Sequence, residues 1–167
     1  MKIVAVQDAS ILIDCANLDI LDDVLFLPYH FQTTDLIVLE IEYGAAAGAV
    51  VKCIENERLS VISFSAEEVM EIDARSQAHR SLSLQDCSVW YLAETTSGIL
   101  LTGDKALRKK AAQSGIEVHG TLWLLMELER TERISAPEAC QKLHALIEQN
   151  PRLPKDIVAQ LLEKWCG

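Results

Sequence analysis

An α/β fold is what this sequence predicts: a three-layer α/β/α sandwich with a central parallel sheet. Three observations carry that reading. Short β-rich or wholly apolar runs recur along the chain, each followed by a segment of helical character. The run Ile99-Leu-Leu-Thr102 is apolar without alternation, as in a strand covered on both faces. Helix-opening signals of the form Ser-x-x-Glu or Ser-x-x-Asp stand at Ser65, Ser83 and Ser135.

The elements follow in order. Residues 2–7 are a first strand and 10–18 the helix after it. Asp19 or Asp22 starts a further helical segment through Leu25, and residues 31–34 make a short second strand. Residues 35–55 read as helix, interrupted around Gly44 and Gly48, because glycine costs about 1 kcal/mol per helical position relative to alanine. A β-branched third strand spans 59–64, and Ser65-Ala-Glu-Glu68 opens a helix towards Arg80. Ser83-Leu-Gln-Asp86 opens the next, which runs to Thr95 and stops at Gly98. Residues 99–102 are the fourth strand, and Asp104 begins a helix that ends at Gly115, a favourable residue just past a helix end. A last strand spans 116–119 and a helix 121–130; Ser135-Ala-Pro-Glu138 caps another, and Pro154 falls in the first turn of the final one. No Pro/Gly/Ser-rich linker, low-complexity tract or repeat divides the chain. One domain over 1–167 is expected, with 131–167 as a helical C-terminal extension.

Composition narrows the function. Half of the 167 residues are hydrophobic, yet no apolar run nears the roughly 20 residues of a bilayer span. The first apolar stretch meets Asp8 too soon for a secretory core, so a cytoplasmic protein is expected. Five scattered cysteines with no CxxC pair read as free thiols used as small buried hydrophobes, with Cys166 exposed. His30, His79, His119 and His144 show no ligand spacing, and Trp90, Tyr91 and Trp123 read as core aromatics. No P-loop, dinucleotide, nucleophile-elbow or zincin motif occurs. A net charge of −10 argues against broad wrapping of nucleic acid. Either the partner is not a polyanion, or bound cations neutralise some carboxylates.

Ligands of open α/β sheets bind beyond the carboxyl ends of the strands. Asp8 ends the first strand, Asp104 follows the fourth, Asp86 lies in the first turn of a helix, and Glu40 lies on the helix after the second strand, with Glu42 competing for its role. Strand–helix–strand topology brings all four to one edge. Taken singly, Asp8 and Asp104 are ordinary helix caps, Asp86 favours its helix dipole, and Glu40 faces solvent. Taken together, several carboxylates at one place repel one another unless a cation joins them. Mg²⁺ or Mn²⁺ suits such an all-oxygen site and supports phosphodiester cleavage without a His or Cys nucleophile.

Five stretches then occur in order: Val6-Gln-Asp-Ala-Ser-Ile-Leu-Ile13, Ile37-Val-Leu-Glu-Ile41, Leu84-Gln-Asp-Cys-Ser-Val-Trp-Tyr-Leu-Ala93, Leu100-Leu-Thr-Gly-Asp-Lys-Ala-Leu107 and Gly115-Ile-Glu-Val-His-Gly-Thr-Leu122. Together they resemble the PIN-domain family, which includes the toxin nucleases of many bacterial toxin–antitoxin pairs. The resemblance covers about residues 4–128. It implies a quartet of acids, here Asp8, Glu40, Asp86 and Asp104, binding Mg²⁺ or Mn²⁺, with Ser10 and Thr102 as the accompanying hydroxyls. It further implies hydrolysis of RNA to 5′-phosphate and 3′-hydroxyl ends, an antitoxin protein as a possible partner, and a homodimer. For the dimer, Leu124, Leu125 and Leu128 on 121–130 offer an apolar face, one that core packing explains more readily. Many family members carry a further acid where this chain has Gly103. That departure and the acidic balance favour a second reading, a catalytically weak or inactive PIN-fold module that binds proteins. Phosphate contacts are expected from Lys105, Arg108 and Lys109, which share one helix face next to Asp104.

Overall fold

Five short runs of extended chain pair in parallel in a computed structural model that describes residues 2–167. They are β1 (Ile3–Gln7), β2 (Tyr29–Thr34), β3 (Ser60–Ile62), β4 (Ile99–Leu101) and β5 (Val118–His119), in the spatial order β3-β2-β1-β4-β5. β1 is central: Ala5 pairs with Phe31 on one side and Ile99 on the other. The β1–β4 register ends at Gln7 opposite Leu101, with the Asp8 amide donating to the Leu101 carbonyl (3.1 Å). Asp8 and Thr102 therefore leave the sheet side by side.

Helices α1 (Ala9–Asn17), α2 (Leu21–Leu25), α3 (Asp35–Ile41), α4 (Ala47–Glu55), α5 (Ala66–Ala78), α6 (Leu84–Thr95), α7 (Lys105–Gln113) and α8 (Thr121–Arg130) cover the sheet. A hairpin of α9 (Ala136–Gln149) and α10 (Lys155–Cys166) follows. All three serine signals form reciprocal capping boxes, Ser65 with Glu68, Ser83 with Asp86 and Ser135 with Glu138, satisfying two orphan amides at each helix start. The helix expected over 35–55 divides into α3 and α4, joined by a turn in which the Gly44 amide donates to the Ile41 carbonyl. Gly115 takes the left-handed conformation (φ 80°) that ends α7. Pro154 lies just outside α10, as its N-cap rather than in its first turn.

One apolar core runs from β1 and β4 into the C-terminal hairpin, where Leu143, Leu146, Leu161 and Trp165 are buried with it. Leu124, Leu125 and Leu128 are fully buried within the chain, as core packing of that face expects. One expectation changes here. The thiols are not all free: Cys140 and Cys166 form a disulfide, with Cα atoms 5.4 Å apart. The α9–α10 hairpin returns Cys166 beside Cys140 across 26 residues, a proximity that spacing along the chain hides. Cys15, Cys53 and Cys87 are free and buried. Among the described residues, no helix is long and apolar enough to cross a membrane.

Candidate functional site

β1 passes into α1 through a single residue, Asp8, whose extended backbone turns its side chain over the first helical turn. Asp8 is only 4% exposed. Its Oδ1 accepts from the Ser10 hydroxyl (2.7 Å) and the Ile11 amide (3.0 Å), and its Oδ2 accepts from the Thr102 hydroxyl. Both hydroxyls are aimed. The Gly103 amide donates to Ser10 Oγ and the Asp104 amide to Thr102 Oγ1, each at 3.1 Å, so each hydroxyl keeps its own proton for Asp8. The turn between β4 and α7 thereby grips both oxygens of Asp8. Even so, the Asp8 carboxyl is pushed up to about 6. Burial is the main cause; the bonds from Thr102, Ser10 and Ile11 pull the other way, and the Asp86 charge adds to the rise.

Asp86 and Asp104 each give one oxygen to a helix start. Asp86 Oδ2 accepts from the Ser83 amide (2.8 Å), and Asp104 Oδ1 accepts from the Leu107 amide (2.8 Å). Glu40 and Glu42 are both exposed; the Glu40 carboxyl is raised by partial loss of water and then by Asp86, and Glu42 is the C-cap residue of α3. Among the described residues, none of the four acids forms an ion pair with a Lys or Arg. They share an edge without closing into a cluster: among the described residues, no three of these carboxylates come within 4.8 Å of one another.

Sequence reasoning passed over the hydroxyls that link these helices. Thr34 Oγ1 caps α3 by accepting the Ile37 amide (3.2 Å) and bonds to Ser88 Oγ (2.9 Å), which donates to the Gln85 carbonyl (2.7 Å). Both residues are fully buried. The chain of donors ties the helix of Glu40 to the helix of Asp86. The only signal available in the sequence was a threonine at the end of the second strand. Asp14 was also missed; it lies one turn after Ser10 on α1 and accepts from the Thr121 hydroxyl (2.9 Å), with its carboxyl raised by burial.

Lys105, Arg108 and Lys109 are exposed on α7 and none is paired with an acid among the described residues. Arg108 is the best placed. A Cβ on Gly120 would stand 2.8 Å from its Nη2 and 3.6 Å from the Thr102 carbonyl, so glycine at 120 leaves room for the guanidinium across the carboxyl edge of the sheet. Gly103 is different. A Cβ there meets nothing closer than Ser10 Oγ at 3.4 Å, an ordinary contact, so the missing acid is not forced by space. Gly103→Asp is expected to fold and to lower the melting temperature in EDTA by adding a charge to this edge. It should tighten Mn²⁺ binding about tenfold, read by calorimetric titration. Unchanged Mn²⁺ affinity would show that position 103 does not face the ion.

The arrangement has a fold relative among solved structures. The chain is similar to PAE2754 from Pyrobaculum aerophilum, with a TM-score of 0.54 and 18% sequence identity over 76% of this chain and 98% of that one. No curated protein matches the sequence. Residues 4–166 match the family described as DUF3368, PIN domain, a span that includes both helices of the C-terminal hairpin. The chain thus belongs to the DUF3368 PIN-domain family.

Proposed function

We propose that this protein is a divalent-cation-dependent endoribonuclease that hydrolyses RNA phosphodiester bonds at the carboxyl edge of its sheet. The supporting observation is Asp8: a carboxylate buried at the end of the central strand, held through both oxygens, set near the charge of Asp86, and paired with no cationic side chain among the described residues. A site of this kind calls for a proton or a cation. The all-oxygen donors suit Mg²⁺ or Mn²⁺ rather than a soft metal. Asp8, Asp86 and Asp104 would hold the ion, and bound there it would supply charge to activate water and stabilise the attacked phosphate. Glu40 orients the attacking water or completes the ligand set; its raised carboxyl and the buried Thr34–Ser88 link to α6 favour it over Glu42. Ser10 and Thr102 fix the angle of Asp8, and Lys105, Arg108 and Lys109 receive the flanking phosphates.

The test is cleavage of an end-labelled single-stranded RNA in Mn²⁺ or Mg²⁺, giving 5′-phosphate and 3′-hydroxyl ends. EDTA, Asp104→Asn and Glu40→Gln should each suppress it. Cleavage that survives both EDTA and Asp104→Asn would overturn the reading. The absence of an acid at Gly103 favours a second reading, a protein-binding module without catalysis, and that reading gains if all cations fail to support cleavage.

The α7 cations carry their own expectation. Arg108→Ala with Lys109→Ala should weaken RNA binding and lower the slope of log affinity against log salt by about 1.4, at roughly 0.7 per phosphate contact on a single strand. Fluorescence anisotropy across a salt series measures it, and an unchanged slope would return these residues to simple surface charge.

A further inference from the structure

Far along the chain from the acidic edge, two sulfurs and an imidazole meet where α9 and α10 lie together. Cys140 and His144 are four residues apart on α9, hence on one face, and Cys166 is the last residue of α10. Cys140 is half-buried; His144 and Cys166 are exposed. Cys166 Sγ lies 3.7 Å from His144 Nε2 and is bonded to Cys140 Sγ. Among the described residues, this is the one group of three or more His, Cys, Asp or Glu ligand atoms that all lie within 4.8 Å of one another.

We propose that in the reduced chain Cys140, Cys166 and His144 form a three-ligand site for a thiophilic divalent cation of the zinc class, with a fourth position open to water or an outside ligand. Tetrahedral zinc, with sulfur at about 2.3 Å and nitrogen at about 2.0–2.1 Å, sets neighbouring ligand atoms roughly 3.5–3.8 Å apart. The Cys166–His144 separation of 3.7 Å already matches that edge. The two sulfurs must part, which side-chain rotation at the exposed end of α10 allows. Spacing agrees as well, since Cys140 and His144, at i and i+4 on α9, present their side chains on one face.

The disulfide and the metal site exclude each other. Two thiols of an external reductant supply two electrons and two protons; the S–S bond becomes two S–H groups, and the reductant leaves as its own disulfide. The cation then displaces both thiol protons to solvent and takes the lone pair of neutral His144 Nε2. Either tie holds α10 against α9, over the buried Leu161 and Trp165. The remaining thiols do not compete. Cys15, Cys53 and Cys87 are buried, and burial pushes the Cys53 and Cys87 thiols up to about 11 and that of Cys15 further.

Cobalt(II) is the probe, because only sulfur ligation gives an intense thiolate-to-cobalt charge-transfer band and the sulfur beside the acidic edge, that of Cys87, is fully buried. The full chain, reduced with a phosphine and kept under nitrogen, should develop that band to a plateau at one Co²⁺ per chain, and zinc should bleach it. The oxidised chain should show none. His144→Ala and Cys166→Ser should each weaken Co²⁺ binding by on the order of tenfold or more. No band from reduced chain that is folded by circular dichroism would overturn the proposal. So would a band that survives in the Cys140→Ser, Cys166→Ser double variant or is untouched by His144→Ala. Should a variant fail to fold, the reduced and oxidised wild-type spectra decide the matter alone.

Discussion

Asp8→Asn should melt several degrees above the wild type at pH 8 in EDTA while losing nuclease activity by at least about a hundredfold. The stability gain follows from burial. The Asp8 carboxyl is raised from the ordinary value near 4 to about 6, chiefly because it is out of water. At about 1.4 kcal/mol per pH unit, keeping it ionised at pH 8 costs about 3 kcal/mol. Asparagine removes that cost while preserving shape, and it can still accept from Ser10 and the Ile11 amide through its carbonyl. For a chain of this size 1 kcal/mol is worth roughly 2–4 °C, so a rise of about 5 °C or more is expected. The activity loss follows from ligand chemistry, since removing even a partner of a metal ligand costs about 10–100-fold. Thermal scans with and without Mn²⁺, beside the RNA assay, measure both. A variant that melts well below wild type in EDTA would make Asp8 a structural cap and nothing more.

The same substitution at Asp104 should leave the EDTA melting temperature nearly unchanged. Asp104 is exposed and caps α7 through the Leu107 amide, a bond asparagine makes about equally well. Buried and exposed members of the proposed ligand set should therefore differ in stability effect and agree in activity effect. A purely structural account of the two aspartates gives no reason for that pattern.

The fold was legible because its signals are local. A run such as Ile99-Leu-Leu and a Ser65–Glu68 box each declare themselves within a few residues, and the structure has β4 and a capping box there. The positions of Asp8, Asp86 and Asp104 were legible for a related reason: each ends a strand or starts a helix, and those ends define the edge. What stayed hidden depends on chain reversal. The bond between Thr34 and Ser88 joins residues 54 apart, and the Asp14–Thr121 bond joins residues 107 apart, so no spacing rule reaches them. Cys140, His144 and Cys166 stayed hidden in the same way: the first two fit one helix face, but the third arrives only once α10 folds back.

Metal binding at the acidic edge should fail in acid with a midpoint set by Asp8. Below about pH 6 a proton occupies the carboxylate that the ion requires, so apparent Mn²⁺ affinity should fall about tenfold per pH unit. The metal-free protein behaves in the opposite sense. Between about pH 4 and 6 the folded chain binds the Asp8 proton more tightly than the unfolded chain does. The contribution of Asp8 to stability is therefore fully present below pH 4 and lost as pH rises through about 6. Asp14 and Glu40, also raised by burial, act in the same sense. Glu127, held down by Arg130, and Glu138, held down by its capping bonds to Ser135, act against it. Subtracting the pH profile of Asp8→Asn isolates the Asp8 share from all of them. The difference in melting temperature between Mn²⁺ and EDTA should be largest near pH 8 and vanish by about pH 5. A difference that stays constant across that range would mean that Asp8 does not meet the ion.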